Sequence, residues 1–206
     1  MAEVNFIEQS HEILGIFHDE ENEHPHDFIA TVARTCYQSH SKSSAADANL
    51  VQSLINKGHH PMLEHSFLSV RFTTDRAIAN ELVRHRHFSF AQESTRYCNY
   101  NNRGFEFVLP VDLDSYEDVM IKATCYTSAE HYEYLIEHGT KPEIARAVLP
   151  LCLATRIVVS GNFTEWLHTF NLRTAPEAHP QMRQLMLPLL DELQRTVPII
   201  FDGVCE

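Results

Sequence analysis

The sequence predicts an α+β fold rich in helix, and three observations carry that expectation. Apolar residues recur at helical spacing in several long segments and alternate in a few short ones. Of the 206 residues, 44% are hydrophobic and 21% charged, the balance of a globular chain that buries a sizeable core. No internal repeat, low-complexity tract or linker interrupts it, and 206 residues make one ordinary domain, or at most one domain with an appended helical half.

The elements follow in order. Residues 18–27, HDEENEHPHD, read as a polar loop. DFIATVARTCY from Asp27 reads as a helix capped by that aspartate, and 44–58 as a second helix that places Leu50, Val51, Leu54 and Ile55 on one face and stops at Gly58. EHSFLSVRF (64–72) alternates, with Leu68, Val70 and Phe72 on one side, and reads as a strand. TDRAIANELVRHR (74–86) is helical again, opened by Thr74 or Asp75. Long helices are expected at 113–138, 142–156 and 176–196, with Pro142 in a first turn and Pro188 kinking the last. RIVVSG supplies a short β segment between the last two.

Charge narrows the function. The chain carries 16 Lys plus Arg against 28 Asp plus Glu, a net charge of −12, which repels nucleic acid and anionic membrane surfaces. A local cationic pocket is still permitted, and only four of the 16 basic residues are lysine. Arginine makes fixed, bidentate contacts to phosphate and carboxylate, so this bias fits pockets. RHRHFSFAQESTRY (84–97) concentrates the signal: Arg84, Arg86 and Arg96 share thirteen residues with one acid, Glu93, and no lysine. If Glu81 to Arg86 ends a helix, Arg84, His85 and Arg86 point about 100° apart and serve different groups. In an extended segment beyond Ser89, Gln92, Ser94 and Arg96 share a side and offer an amide, a hydroxyl and a guanidinium to a phosphate and a polar ring edge.

Other clusters carry less. GHHPMLEH (58–65) holds His59, His60, Glu64 and His65, but lacks the H-x-x-x-H spacing of a helical zinc site, and Pro61 breaks any helix. We read it as structural, with His59 capping the preceding helix and Glu64 accepting from an arginine. Residues 142–181 set Arg146, Asn162, His168 and Arg173 in apolar surroundings, where each taken singly reads as structural. The five cysteines are widely spaced without C-x-x-C, as in reduced thiols of a cytoplasmic protein. The N-terminus lacks a signal-peptide pattern, and no apolar run reaches membrane-spanning length. Neither Cys98 nor Ser94 sits in a nucleophile signature. Residue chemistry alone therefore ends at an arginine-rich pocket for phosphorylated ligands. It leaves an enzyme, a nucleotide-binding regulatory module and a metal-dependent nucleotide hydrolase open.

At this point the sequence resembles a known family. Arg84-His85-Arg86, seven residues, then Ser94 matches the signature of the flavin-dependent thymidylate synthases, and Ser94-x-Arg96-Tyr97 extends it. ARTCY (33–37), GHHPMLEH (58–65), ELVRHR (81–86), ARAVLP (145–150) and NFTEWLHTFNLR (162–173) match in the family's order. The resemblance implies reductive methylation of dUMP to dTMP, with methylenetetrahydrofolate supplying the carbon, FAD carrying the hydride and NADPH reducing FAD. It also implies one helix-rich α+β domain over residues 1–206 with a small, mostly antiparallel sheet, and homotetramers whose sites are assembled from several chains.

Carried over residue by residue, Arg84, His85 and Arg86 would contact FAD, with Arg84 also near dUMP. Glu81, Leu82, Val83 and Arg84, together with Gln92, Glu93, Ser94, Thr95 and Arg96, would line the dUMP pocket. Ser94 and Arg96 would lie at the phosphate, Gln92 would be shared with the flavin, and Arg146 would be a further dUMP contact. Cys36, His59, Asn162, Phe163, Thr164 and His168 match FAD-contacting positions. Arg173 matches the residue that favours ionisation of uracil N3, which activates C6 towards hydride without a covalent enzyme nucleophile; Ser94 would position dUMP. The chain departs from the family at Ala91, Gln92 and His168, where other members carry Asn or Ser, Glu, and Asn. His-x-Gln also falls about two residues late, which leaves His179 without an assigned role.

Overall fold

A computed structural model describes residues 2–17 and 24–204, and six of the ten residues expected to form the polar loop lie outside that range. In chain order the elements are β1 (Val4–Phe6), β2 (Ser10–Ile16), α1 (Pro25–Thr35), α2 (Ser44–Asn56), β3 (Phe67–Asp75), α3 (Arg76–Leu82), β4 (Ser89–Gln92), β5 (Phe105–Phe107), α4 (Ser115–Glu137), α5 (Pro142–Ala145), β6 (Ala154–Asn162), α6 (Phe163–Arg173), α7 (Pro180–Thr196) and α8 (Pro198–Phe201). A four-stranded antiparallel sheet has the order β2-β3-β6-β4, and β1 pairs in parallel with β5, Val4 opposite Phe105. The α+β class is as the sequence predicts.

The residues fall into two compact units. One comprises Met1–Ser10, Phe72–Arg84 and Phe90–Val158. Its core is aromatic: the Tyr132 ring meets Phe105 edge-on at 5.5 Å between centroids and Tyr100 at 5.8 Å. Cys125, Ala129 and Leu153 complete the cluster. Helix α4 supplies Cys125, Ala129 and Tyr132 at helical spacing, and it is opened by a capping box in which Asp114 accepts from Tyr116 and Glu117 N–H.

The other unit comprises His11–Arg71, His85–Ser89 and Val159–Glu206. Its core takes Ile29, Ala30 and Ala33 from α1, Trp166 and Phe170 from α6, and the stripe Met182, Leu185, Met186, Leu189 and Leu193 from α7. Helices α1 and α2 are joined by a buried ion pair: Arg34 Nε and Nη2 donate to Asp47 Oδ1 at 2.9 and 2.6 Å, and Ser41 donates to the other carboxylate oxygen. Both partners are needed, because a lone buried carboxylate or guanidinium is strongly destabilising.

Several expectations are corrected. Helix α1 begins at Pro25 with His24 in the cap position, so Asp27 lies in the first turn, favourable to the helix dipole, rather than capping it. Helix α3 is capped by Asp75, which accepts from Ile78 N–H at 2.7 Å, but it ends at Leu82, so Arg84 to Arg86 lie beyond it. The cause is the burial of His85 against α6, a tertiary contact that local periodicity does not register. The expected helix 142–156 is one turn of α5 and a 3-10 turn, Arg146–Val148. Pro150 holds Leu149 extended, at φ −82° and ψ 133°, and the chain then enters β6. Helix α6 was not among the expected elements; Asn162 caps it, accepting from Glu165 N–H at 2.9 Å. Pro188 lies inside α7, which continues to Thr196.

Gly161, in β6, is required by close approach rather than by backbone conformation. A Cβ there would lie 2.1 Å from Cδ1 of Phe88, a ring already packed at 4.7 Å on Trp166. Phe88 closes the segment that begins at His85, so this glycine lets that segment seat. Gly161→Ala should lower stability by about 1–3 kcal/mol, read as a fall in urea midpoint at unchanged m-value. An unchanged midpoint would show that Phe88 moves aside without cost.

Candidate functional site

In the first unit the candidate residues are gathered by β4 and the turn after it. The strand ends at Gln92, whose amide Nε2 donates to Thr155 Oγ1 at 3.3 Å on β6. Glu93 N–H still donates to Arg156 O at 2.9 Å, but Ser94 O then accepts from Tyr97 and Cys98 N–H and curls the chain. The expected alternation of Gln92, Ser94 and Arg96 therefore stops at Ser94. Its hydroxyl accepts from Arg96 N–H at 3.3 Å, one of the local side-chain bonds by which serine diverts a strand into a turn. Arg146 is brought to this turn from the far side of α4: its Nη1 donates to Thr95 Oγ1 at 3.0 Å and its Nε to Glu143 O at 3.2 Å. Ser94, Thr95, Arg96 and Arg146 thus share one locus.

The arginines there are uncommitted to acids. Among the described residues Arg84, Arg96 and Arg146 form no ion pair with a carboxylate, and all three are exposed. Arg34, Arg71, Arg156 and Arg195 each have such a partner. Glu81 and Leu82 end α3, with Leu82 buried, and Val83 caps it. Glu93, the acid of the motif, is turned elsewhere. It accepts from Tyr100 Oη at 3.1 Å, and Arg156 lies 3.9 Å away while bonding Glu106 at 2.5 Å. These groups border a cavity of about 280 Å³. Burial and the adjacent Glu93 push the Tyr100 hydroxyl up from its ordinary value, and burial does the same to the Cys98 thiol. Sequence reasoning missed Tyr100, Arg156 and Glu106, because ordinary spacing gives no sign that they converge on Glu93.

In the second unit His85 is only 7% exposed. Arg173 Nε donates to its Nε2 at 2.9 Å, and Thr169 Oγ1 lies 3.3 Å from its Nδ1. Burial first, and then the Arg173 guanidinium and His168, push the His85 pKa down to about 4, so the ring is neutral near pH 7. Arg86, one residue on, is exposed and without a carboxylate partner among the described residues. His168 is also exposed.

Cys36 and His59, 23 positions apart, line one pocket of about 380 Å³ with Ala33, Tyr37, Leu54, Pro61 and Met62. A Schellman motif brings them together. Gly58, at φ 70°, donates to Ile55 O, and His59 N–H donates to Leu54 O, turning the chain back from α2 over the end of α1. Gly58 is thus the stop expected from the sequence. His59 caps through its backbone; its side chain makes no capping bond to the 3-10 turn that follows.

Three candidate side chains serve the fold directly. Asn162 caps α6, Thr164 Oγ1 donates to His60 O at 3.1 Å, and Phe163 is fully buried against Phe201. His179 accepts from Gln181 N–H at 3.3 Å at the start of α7. Among the described residues no group of three or more His, Cys, Asp or Glu could hold a metal ion, and no helix is long and apolar enough to cross a membrane.

Comparison with known proteins fits these features. Residues 20–199 match the family model described as thymidylate synthase complementing protein. The flavin-dependent thymidylate synthase of Mycolicibacterium gilvum (strain PYR-GCK) is 34% identical over 194 residues, covering 84% of this chain and 77% of that protein. Those of Mycobacterium avium (strain 104) and Mycobacterium tuberculosis (strain ATCC 25177 / H37Ra) are 33% and 32% identical over the same shares. A match across most of the chain, together with the arginine motif and the pockets that surround its parts, has one reading: the chain belongs to the family of flavin-dependent thymidylate synthases.

Proposed function

We propose that the chain makes dTMP from dUMP by reductive methylation, with methylenetetrahydrofolate as carbon donor. The observation that carries this reading is the convergence of two exposed arginines, Arg96 and Arg146, on the Ser94–Thr95 turn, neither with a carboxylate partner among the described residues. Guanidinium groups left without an acid beside two hydroxyls suit a ligand that brings its own anion. Arg96 and Arg146 flank the Ser94–Thr95 hydroxyls, a donor set for a 5′-phosphate.

The residues fit a flavin. The pocket of Ala33, Leu54, Pro61 and Met62 has apolar walls, the Tyr37 ring lies at its mouth, and Cys36 and His59 line it. These residues, with His85, Arg86, Gln92, Asn162, Phe163, Thr164 and His168, would hold FAD. Phe163, whose ring is buried, would act through its backbone. The chemistry that FAD supplies when bound is hydride transfer, with NADPH as the source. The chain's own part is to bind and polarise the pyrimidine. Arg173 would stabilise the anion at N3 of the uracil ring, which activates C6. No covalent enzyme nucleophile is needed in this scheme. The Ser94 hydroxyl is engaged with Arg96 N–H and positions dUMP, while burial and Glu93 keep the Cys98 thiol protonated. Apolar side chains exposed on α4, among them Tyr116 and Met120 one turn apart, support assembly into a homotetramer with shared sites.

Anaerobic incubation with dUMP, methylenetetrahydrofolate, FAD and NADPH should yield dTMP. Binding of dUMP without turnover would instead make the protein a nucleotide-binding module. Arg96→Ala should weaken dUMP binding about tenfold to a hundredfold, as expected for a charge-assisted phosphate contact of about 1.5–3 kcal/mol, with little change in flavin retention. Equal loss of both ligands would misplace the phosphate.

Shared sites make a separate prediction. Arg84→Ala and Arg173→Ala should each be nearly inactive, whereas co-expressed and mixed at random they should regain activity towards about a quarter of wild type. No recovery in mixed oligomers confirmed by mass spectrometry would rule out sharing between chains.

The Arg173 contact also needs His85 neutral. An unfolded histidine titrates near 6.5 and the folded one near 4, so between these values the unfolded chain binds a proton that the folded chain does not. Stability should therefore be unaffected by this group above about pH 6.5 and should fall as pH drops from there to about 4. His85→Gln should remove that part of the acid slope in urea titrations. Parallel acid profiles for the two proteins would show that His85 titrates normally.

A further inference from the structure

The proposed chemistry places the cation at Arg173 but does not say what aims it. Glu165, Thr169 and Arg173 are spaced four residues apart on α6, so they form one line along the helix. His85 lies across that line. Its Nε2 meets Arg173 Nε at 2.9 Å, its Nδ1 meets Thr169 Oγ1 at 3.3 Å, and Glu165 Oε1 is 3.9 Å from the same Nδ1. Arginine Nε only donates, so Nε2 must offer its lone pair. A neutral imidazole with a lone pair on Nε2 carries its proton on Nδ1, and Thr169 Oγ1 is then the acceptor. Nδ1–H is the less favoured neutral form in water. The Arg173 donor demands it, and the buried Nδ1–H that results needs an acceptor of its own.

The structure assigns Thr169 as a positioning residue: by accepting from Nδ1–H it stabilises the tautomer of His85 that receives Arg173 Nε–H, and so helps to hold the guanidinium. Thr169 is fully buried, so no water replaces it. Among the described residues, the ionisable groups facing His85 come from α6. Arg173 and His168 oppose a second proton on the ring, whereas the Glu165 carboxylate beyond Nδ1 favours a proton on that side. Each of these fields agrees with a neutral ring protonated at Nδ1. The effect on turnover rests on the reading of Arg173 given above; the tautomer does not.

The test therefore measures both. In full-length protein labelled with ¹⁵N-histidine, the His85 signals, identified by their loss in His85→Gln, should show Nδ1–H and an unprotonated Nε2 at neutral pH. Thr169→Ser should keep that pattern and near-normal turnover. Thr169→Val, which matches threonine in shape but has no acceptor, should shift His85 towards Nε2–H and lower kcat about tenfold, with a smaller change in KM for dUMP. A wild-type ring protonated at Nε2 would overturn the assignment without any variant. It would equally be overturned by a valine variant whose tautomer is unchanged, by a changed tautomer with unchanged kcat, or by failure of serine to restore turnover. Absence of dTMP formation by the wild type would refute the proposed function and leave the tautomer result standing.

Discussion

A neutral imidazole buried beside a guanidinium is the constraint around which the rest of the site is arranged. His85 accepts from Arg173 and is almost fully removed from water. A protonated ring there would set two N–H groups against each other, with little water to screen them. The fold prevents this by burial and by the charge of Arg173 itself, which together hold the pKa near 4. The same burial ends α3 at Leu82, because a helix continued to Arg86 would not deliver His85 to α6. Gly161 then becomes necessary, since Phe88 must pack where a side chain on β6 would stand.

The arginines on either side of His85 follow the opposite logic. They are exposed and have no acidic partners among the described residues, although the chain has 28 acids to offer. Glu93, the acid nearest Arg96 in sequence, is engaged by Tyr100 and faces Arg156. Removing that carboxylate from its neighbours leaves Arg96 available for the phosphate contact proposed above. An ion pair at the surface contributes little to stability, roughly 0–1 kcal/mol, so leaving these arginines unpaired costs the fold little while preserving ligand affinity.

Much of this was legible in the sequence where the signal is local. Some caps and stops were readable: of Thr74 and Asp75, Asp75 opens α3, Gly58 closes α2, and Leu68, Val70 and Phe72 form the buried side of β3, whereas Asp27 does not cap α1. What was missed is partly local chemistry that periodicity overrode and partly contacts between segments far apart in the chain. The expected helix over 142–156 obeyed local periodicity but ignored Pro150, whose ring constrains Leu149. The side shared by Gln92, Ser94 and Arg96 assumed an extended chain, and the Ser94 hydroxyl turned it. Among the site residues, the arginine density of 84–96 pointed to an anion. Nothing local marked Thr169, which looks like any threonine on a helix until its distance to His85 is known.

The two kinds of polar residue therefore differ in how far the sequence can identify them. Residues proposed to meet a ligand, such as Arg84, Arg86 and Arg96, run against the chain's own charge balance and stand out in the local sequence. Residues that orient other residues, such as Thr169 and Tyr100, satisfy every local rule and acquire meaning only through a partner 84 positions away in one case and seven in the other. Their buried bonds are costly to leave unmade, which gives them control over geometry out of proportion to their net stabilisation. Variation at such positions should retune the site while the motif itself stays intact. Two chains with the same R-H-R and serine signature can then differ in how firmly the Arg173 guanidinium, the proposed activator of the pyrimidine, is held.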